Sequence, residues 1–149
     1  MAQNYTLFST AFVLQSPLER AWFDAVRQIE TPEDLSKVHE VLTDSERYRL
    51  RETWENHGQC SLDIEGDTAI VYSEEDGSTE YAECVIQLYL SRFWPTKAMT
   101  LEVAYTCSKA RPGEFGGAAS LITAFSVQWM STQSWVHEMR SRFHTIDSQ

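Results

Sequence analysis

Met99, Leu101, Val103 and Tyr105 alternate with Thr100, Glu102, Ala104 and Thr106, the clearest period-two stretch in the chain. Such alternation predicts a half-buried strand. Tyr5 to Leu14 predicts another, rich in Phe, Thr and Val, with apolar residues on both faces. Gln59 to Ile64 and Thr68 to Ser73 flank the short turn Glu65-Gly66-Asp67, the pattern of a β-hairpin. Ala118 to Met130 also reads as strand, and at that length it has room to fold back near Ala124-Phe125.

Between these stretches the period changes to that of a helix. Ser16 can cap, Pro17 suits the first helical position, and Glu19 completes a capping box. Leu18, Ala21, Trp22, Ala25, Val26 and Ile29 then follow helical spacing. Thr31-Pro32-Glu33-Asp34 repeats the start signal, with Leu35, Val38 and Leu42 as a buried stripe. Thr43-Asp44-Ser45-Glu46 opens a third helix with Leu50 and Trp54 inward, closed by Gly58. Ser78 or Thr79 caps a helix that runs to Phe93 with Ala82, Val85, Ile86, Tyr89, Leu90 and Phe93 inward, and Trp94-Pro95 ends it. Ser131 or Thr132 caps a last helix carrying Trp135, Met139 and Phe143. Trp22, Trp54, Trp129 and Trp135 fall at core positions by this spacing, and Trp94 is placed for partial exposure at a helix end.

The order is β-α-(α-α)-β-β-α-β-β-α. It predicts an α+β fold with a mainly antiparallel sheet of about five strands and helices on one face. Its first part matches the split β-α-β-β-α-β arrangement, so a core related to the ferredoxin-like fold is expected. No repeat, linker or low-complexity segment divides residues 1–149, which read as one domain.

Composition agrees with this picture. Of 149 residues, 42% are apolar, enough for one core without staples. Apolar runs fall far short of the roughly 18 residues of a bilayer span. Met1-Ala2-Gln3-Asn4-Tyr5 has neither the basic nor the apolar region of a signal peptide, so a cytosolic chain is expected. Cys60, Cys84 and Cys107 form no CxxC pair and read as reduced thiols. His39, His57, His137 and His144 show no ligand spacing, so no metal site is expected. No GxSxG, Walker or GxGxxG pattern occurs, and no cofactor is expected.

Charge changes the picture most. The formal net charge is −10. Between Arg51 and Arg92 there is no Lys or Arg, yet ten of the 22 acids fall there; the other twelve balance the twelve Lys and Arg. Wrapping a nucleic-acid backbone is disfavoured, because that needs cations against phosphates. Docking onto a basic surface is favoured. Asp63, Glu65, Asp67, Glu74, Glu75, Asp76, Glu80 and Glu83 are the candidate contacts, spaced carboxylates that can stand in for a row of phosphates. A charge run of this kind also serves solubility, and acids at a helix start complement its dipole.

A second candidate is the stretch from Cys107 to Gly117. Lys109 and Arg111 follow Cys107 closely and can lower a thiol pKa or hold an anion. Arg111 and Glu114 can equally pair with one another, and Gly116-Gly117 permits close backbone approach to a ligand. No general base for Cys107 is identifiable in the sequence.

From this loop onward the chain resembles a group of small bacterial proteins carried on plasmids and phages. The resemblance rests on Thr106-Cys107-Ser108-Lys109, Arg111-Pro112-Gly113-Glu114-Phe115-Gly116-Gly117-Ala118, Thr123-Ala124, and Trp129-Met130 with Trp135. It is a TCSKxRPGEFGG…W signature; the group carries a third glycine where this chain has Ala118. No activity is assigned to the group, so the resemblance implies a context, a mobile element in the bacterial cytosol. Mobile elements carry small acidic inhibitors of host defences, among them anti-CRISPR and antirestriction proteins. The sequence therefore points first to a non-enzymatic interaction protein that imitates nucleic acid on a basic surface. Next comes a small ligand-binding protein or enzyme using Cys107, Lys109, Arg111, Glu114, Gly116 and Gly117, and after it a homodimer without an external ligand.

Overall fold

The computed structural model describes residues 3–109 and 115–143. Six strands form one antiparallel sheet: β1 (Asn4–Val13), β2 (Ser61–Glu65), β3 (Thr68–Ser73), β4 (Ala98–Cys107), β5 (Gly116–Thr123) and β6 (Val127–Ser131), in the spatial order β2-β3-β1-β4-β5-β6. The first four strands in that order reproduce the ferredoxin-like arrangement, and β5 and β6 extend it beyond β4. The long strand expected over Ala118 to Met130 folds back at Ala124–Ser126, giving six strands where about five were expected. Gly66 has φ 62°, the left-handed conformation that the tight β2–β3 turn requires.

Helices α1 (Pro17–Arg27), α2 (Asp44–His57) and α3 (Thr79–Phe93) enclose the core with the sheet, and α4 (Thr132–Arg140) follows β6 directly. Four of the five expected starts open a capped α-helix: Ser16, Thr43, Ser78 and Ser131 each accept a backbone N–H of the first turn. Thr31 opens only a short 3-10 turn, Pro32–Ser36. Leu35 and Leu42 are buried, but Val38 lies beyond that turn and is 89% exposed, so the helical stripe expected there does not exist.

The buried stripe of α1 runs through Glu19, Trp22, Phe23 and Val26, at i, i+3, i+4 and i+7. Leu18 and Ala21, expected on the inner face, flank that stripe on the solvent side. The stripe is centred one position away from the expected one because it includes a glutamate. Trp22, Phe23, Leu50, Val71, Val85, Ile86, Leu101 and Ile122 are fully enclosed. Phe12 meets Phe23 edge-on at 5.8 Å and Tyr89 at 4.6 Å, and Trp22 meets Phe93 edge-on at 6.1 Å. Trp129, Trp135 and Phe143 depart from expectation: all three are exposed, Trp129 on the helix side of β6 and Trp135 beside Glu102, Ala119 and Met130 on the other side, and among the described residues none is covered.

Two glutamates tie the helices together from inside. Glu19 is buried and accepts from the Ser16 hydroxyl at 2.9 Å, the Trp94 indole at 2.9 Å and the Tyr89 hydroxyl. Glu46 is also buried and accepts from the Trp22 indole at 3.0 Å, the Arg92 guanidinium at 2.8 Å and the Thr43 N–H at 2.8 Å. Each begins as a capping residue of its own helix and then satisfies donors on α3 or just past its end. Trp94 is partly exposed, as expected, with its indole N–H held by Glu19.

Burial pushes the Glu19 carboxyl up, but the hydrogen bonds from Tyr89, Trp94, Ser16 and the Gln15 backbone outweigh it and hold it below its ordinary 4.5. A depressed carboxyl contributes stability that is complete above its unfolded-state value and is lost as pH falls through the folded-state value. Glu19→Ala and Glu46→Ala should each cost about 3 kcal/mol in denaturant unfolding, since each strands several buried donors. The Glu19→Ala cost should shrink as the pH is lowered below 4.5; a cost independent of pH would show that the charge on Glu19 does not matter.

Candidate partner-binding face

Strand alternation decides what the sheet presents. Ala69, Val71, Leu101, Val103 and Ile122 are buried toward α1, α2 and α3, so their neighbours point the other way. Directly paired residues share a face, and the register aligns the outer positions strand by strand. Asp63 lies opposite Ile70 and Ile70 opposite Ala11; Leu7 lies opposite Ala104 and Ala104 opposite Gly117. This second face carries Ser61, Asp63 and Glu65 on β2, then Thr68, Ile70 and Tyr72 on β3 and the odd-numbered residues of β1. It continues through Thr100, Glu102 and Ala104 of β4 to Ala119 and Leu121 of β5 and Gln128 and Met130 of β6. Among the described residues, no strand position on this face holds a Lys or Arg, and three hold carboxylates.

Asp63 and Glu65 stand two residues apart on β2, about 6.8 Å along the strand. With Glu74 they rim a shallow depression of about 750 Å³ whose floor is Leu7, Ser9, Ile70 and Tyr72. The acidic loop that carries Glu74, Glu75 and Asp76 is pinned to β1. The Ser73 hydroxyl donates to Thr6 O at 2.7 Å and accepts from Gly77 N–H at 2.8 Å, while Thr6 N–H donates to Glu75 O at 2.6 Å. A Cβ on Gly77 would stand 2.6 Å from the Ser73 Cβ, so only glycine fits beside this anchor. Glu74, Glu75 and Asp76 are all exposed.

The remaining candidate acids are placed differently. Asp67 sits in the β2–β3 turn and pairs with Arg20 at 3.5 Å. Glu80, in the first turn of α3, accepts from the Ser78 and Thr79 hydroxyls, where its charge complements the helix dipole. Glu83 turns toward the sheet, half-buried, and accepts from the buried Ser120 hydroxyl. Glu55, which lies in the cation-free segment without being a candidate, pairs with Arg51 at 2.8 Å on α2. The structure thus gathers Asp63, Glu65 and Glu74 around one depression, with Glu75 and Asp76 next in the same anchored loop, while Asp67 is paired with Arg20 and Glu80 and Glu83 lie on α3. Glu102 shares the open face and was missing from the candidates; it lies outside the cation-free segment, and its signal was the period-two alternation from Met99 to Thr106.

At the other candidate, Arg111 and Glu114 lie outside the described residues. Cys107 is partly exposed and Lys109 exposed at the end of β4. Gly116 and Gly117 line a cavity of about 330 Å³ with Asn4, Tyr105, Phe115 and Thr132, and neither Cys107 nor Lys109 reaches it. Gly117 N–H donates to the Thr132 hydroxyl at 3.1 Å, and a Cβ there would come within 3.2 Å of Val103 O. The paired glycines therefore have a packing role against α4. Burial pushes the Cys60 thiol up to about 12 and raises that of Cys84 as well, which leaves both protonated and inert.

Among the described residues, no group of three or more His, Cys, Asp or Glu could hold a metal ion, and no helix is long and apolar enough to cross a membrane. No protein-family model, curated protein or solved structure matches the chain.

Burial, with a smaller contribution from the Glu80 charge, raises the Glu83 carboxyl above its ordinary 4.5, although the Ser120 hydroxyl pulls the other way. A raised carboxyl favours the folded state when protonated, so this contribution weakens as pH climbs through the folded-state value. Glu83→Gln, which stays neutral and can still accept from Ser120, should raise the melting temperature at neutral pH. A drop would show that the ionised form is the stabilising one. A thiol reagent should spare Cys60 and Cys84 in the native protein and modify both in denaturant, as read by mass spectrometry of peptides.

Proposed function

We propose that this protein is a non-enzymatic interaction module that docks its open sheet face and acidic loop onto a basic protein surface, in the manner of a nucleic-acid mimic. The observation that supports this most is the sign of the face: carboxylates at Asp63, Glu65 and Glu102, the anchored acids of 74–76, and no cation at any described strand position between them. A field of one sign speeds encounter with a basic partner and penalises acidic ones. Holding the loop through Ser73 and Gly77 reduces the ordering cost of binding. Tyr72, Ile70 and Leu7 add an apolar floor, a patch of the kind that bases or aliphatic stems can cover. In a mobile-element context the partner is the nucleic-acid groove of a host defence complex, of the CRISPR or restriction type.

The second reading, a small-ligand site, draws on the cavity beside Gly116 and Gly117. Its described lining contains Tyr105 and hydroxyl and amide groups but no carboxylate, imidazole, Lys or Arg. That suits binding of a neutral molecule better than catalysis.

Replacing Glu74, Glu75 and Asp76 with Lys should weaken capture of the basic partner from bacterial lysate by roughly 100-fold, because each change removes an attraction and adds a repulsion. Association of the native chain should fall as salt screens the field, and added duplex DNA or heparin should release the partner. Capture that is indifferent to the triple substitution, or that persists in saturating heparin, would overturn the mimicry reading.

A further inference from the structure

Every residue of β6 from Val127 to Met130 is exposed, although the strand reads Val-Gln-Trp-Met-Ser and alternate positions of it face opposite sides of the sheet. It is also an edge: β5 pairs with it on one side, and among the described residues nothing pairs with it on the other. The usual protections of an exposed edge, an inward charge, a proline or a bulge, are missing from it. The opposite edge, β2, carries Asp63 and Glu65. No residue of α4 is fully buried either, and Trp135 and Val136 stand half-exposed on it.

We infer that β6 and α4 form a two-fold interface between two copies of this chain, in which β6 pairs antiparallel with β6 of the second copy and joins two six-stranded sheets. This rests on observations independent of the proposed function. Thr123 N–H donates to Ser126 O at 2.9 Å, and the ladder alternates from there. Gln128 and Met130 therefore bond inward to β5, while the N–H and C=O groups of Val127 and Trp129 point outward. A two-fold axis at Trp129 lets each Trp129 exchange both backbone bonds with its counterpart and places the two indoles side by side on one face.

Surface and charge both favour a second copy. Phe125, Trp129, Trp135 and Phe143 are 86%, 44%, 51% and 73% exposed; at about 200 Å² per side chain they leave about 500 Å² of aromatic surface in water. The partly exposed Leu121, Val127, Met130 and Val136 bring the apolar surface near this edge to about 750 Å² summed over both faces of the sheet, against roughly 800 Å² per partner in a stable interface. The described residues from Phe115 to Phe143 contain one acid, Glu138, and two arginines, Arg140 and Arg142. This is the part of an acidic chain where two copies can approach with least repulsion, and the β2 edges then lie at the far ends of the joined sheet.

Sedimentation of the full chain at micromolar concentration should give the mass of a dimer. Trp129→Lys places like charges opposite one another across the axis and should weaken the dimer on the order of a thousand-fold. A second variant does not depend on disruption: Trp129→Cys should cross-link two copies on oxidation, because a hydrogen-bonded pair holds its Cα atoms about 5.5 Å apart, within disulfide range. Val38→Cys, on a remote exposed loop, should not cross-link above the wild-type background. A monomeric mass, or a dimer that survives Trp129→Lys and fails to cross-link through Trp129→Cys, would overturn the inference.

Discussion

Each of two carboxylates begins as a helix cap and finishes as an internal strut. Glu19 and Glu46 both occupy the third residue of a helix, where a glutamate ordinarily reaches back to the cap and stays in water. Here both side chains are buried, and between them they satisfy the indoles of Trp22 and Trp94, the Tyr89 hydroxyl and the Arg92 guanidinium. A buried indole or hydroxyl without a partner costs about 1–3 kcal/mol, so the two carboxylates remove that cost from Trp22, Tyr89 and Trp94. The position of α3 over the sheet follows from that. Its Tyr89 and Arg92 and the adjacent Trp94 are held by residues of α1 and α2, and the apolar positions of α3 are thereby turned onto β1, β4 and β5.

With three helices committed to one side, the other side of the sheet has to face water or a partner, and its composition shows that difference. Inner positions are mostly Ala, Val, Leu, Ile and Phe, with Thr10, Ser73 and Ser120 among them; outer positions are mostly small or hydroxylated residues with Asp63, Glu65 and Glu102 among them. Solubility alone would be served by acids and bases interspersed. A face with one sign of charge keeps a directional field, and the anchoring of the 74–76 loop by Ser73 and Gly77 holds three acids in place at its rim.

Much of this was legible in the sequence where the cause is local. Ser16 with Glu19 and Thr43 with Glu46 marked the helix starts, Gly66 marked the hairpin, and the alternation from Met99 to Thr106 marked β4 and the sides of its residues. What failed was decided at a distance. Val38 continues an apolar spacing, yet Pro32–Ser36 never extends into a helix that could use it. Trp129 and Trp135 sit at positions that look internal, but a periodic pattern says only which side a residue faces, not whether another element stands opposite it. The same limit applies to the acids. Their concentration between Arg51 and Arg92 was plain, but only the register and the α3–β5 contact separate Asp63, Glu65 and the 74–76 loop from Glu83, which is bonded to Ser120.

The two ends of the sheet carry this separation further. At β2 the edge is short and acidic, which discourages a further strand and leaves the charge available to a basic partner. At β6 the edge is uncharged, aromatic and followed at once by a helix with no buried residue. If pairing at β6 joins two copies, each acidic flank is set at an outer end of a twelve-stranded sheet, and a partner with two basic sites meets two such flanks at a fixed separation. Binding at both would then be governed by that separation as well as by the strength of either contact. A symmetric interface at one edge and a charged docking face are compatible because the docking acids Asp63 and Glu65 stand on β2, at the edge opposite β6, with four strands between them.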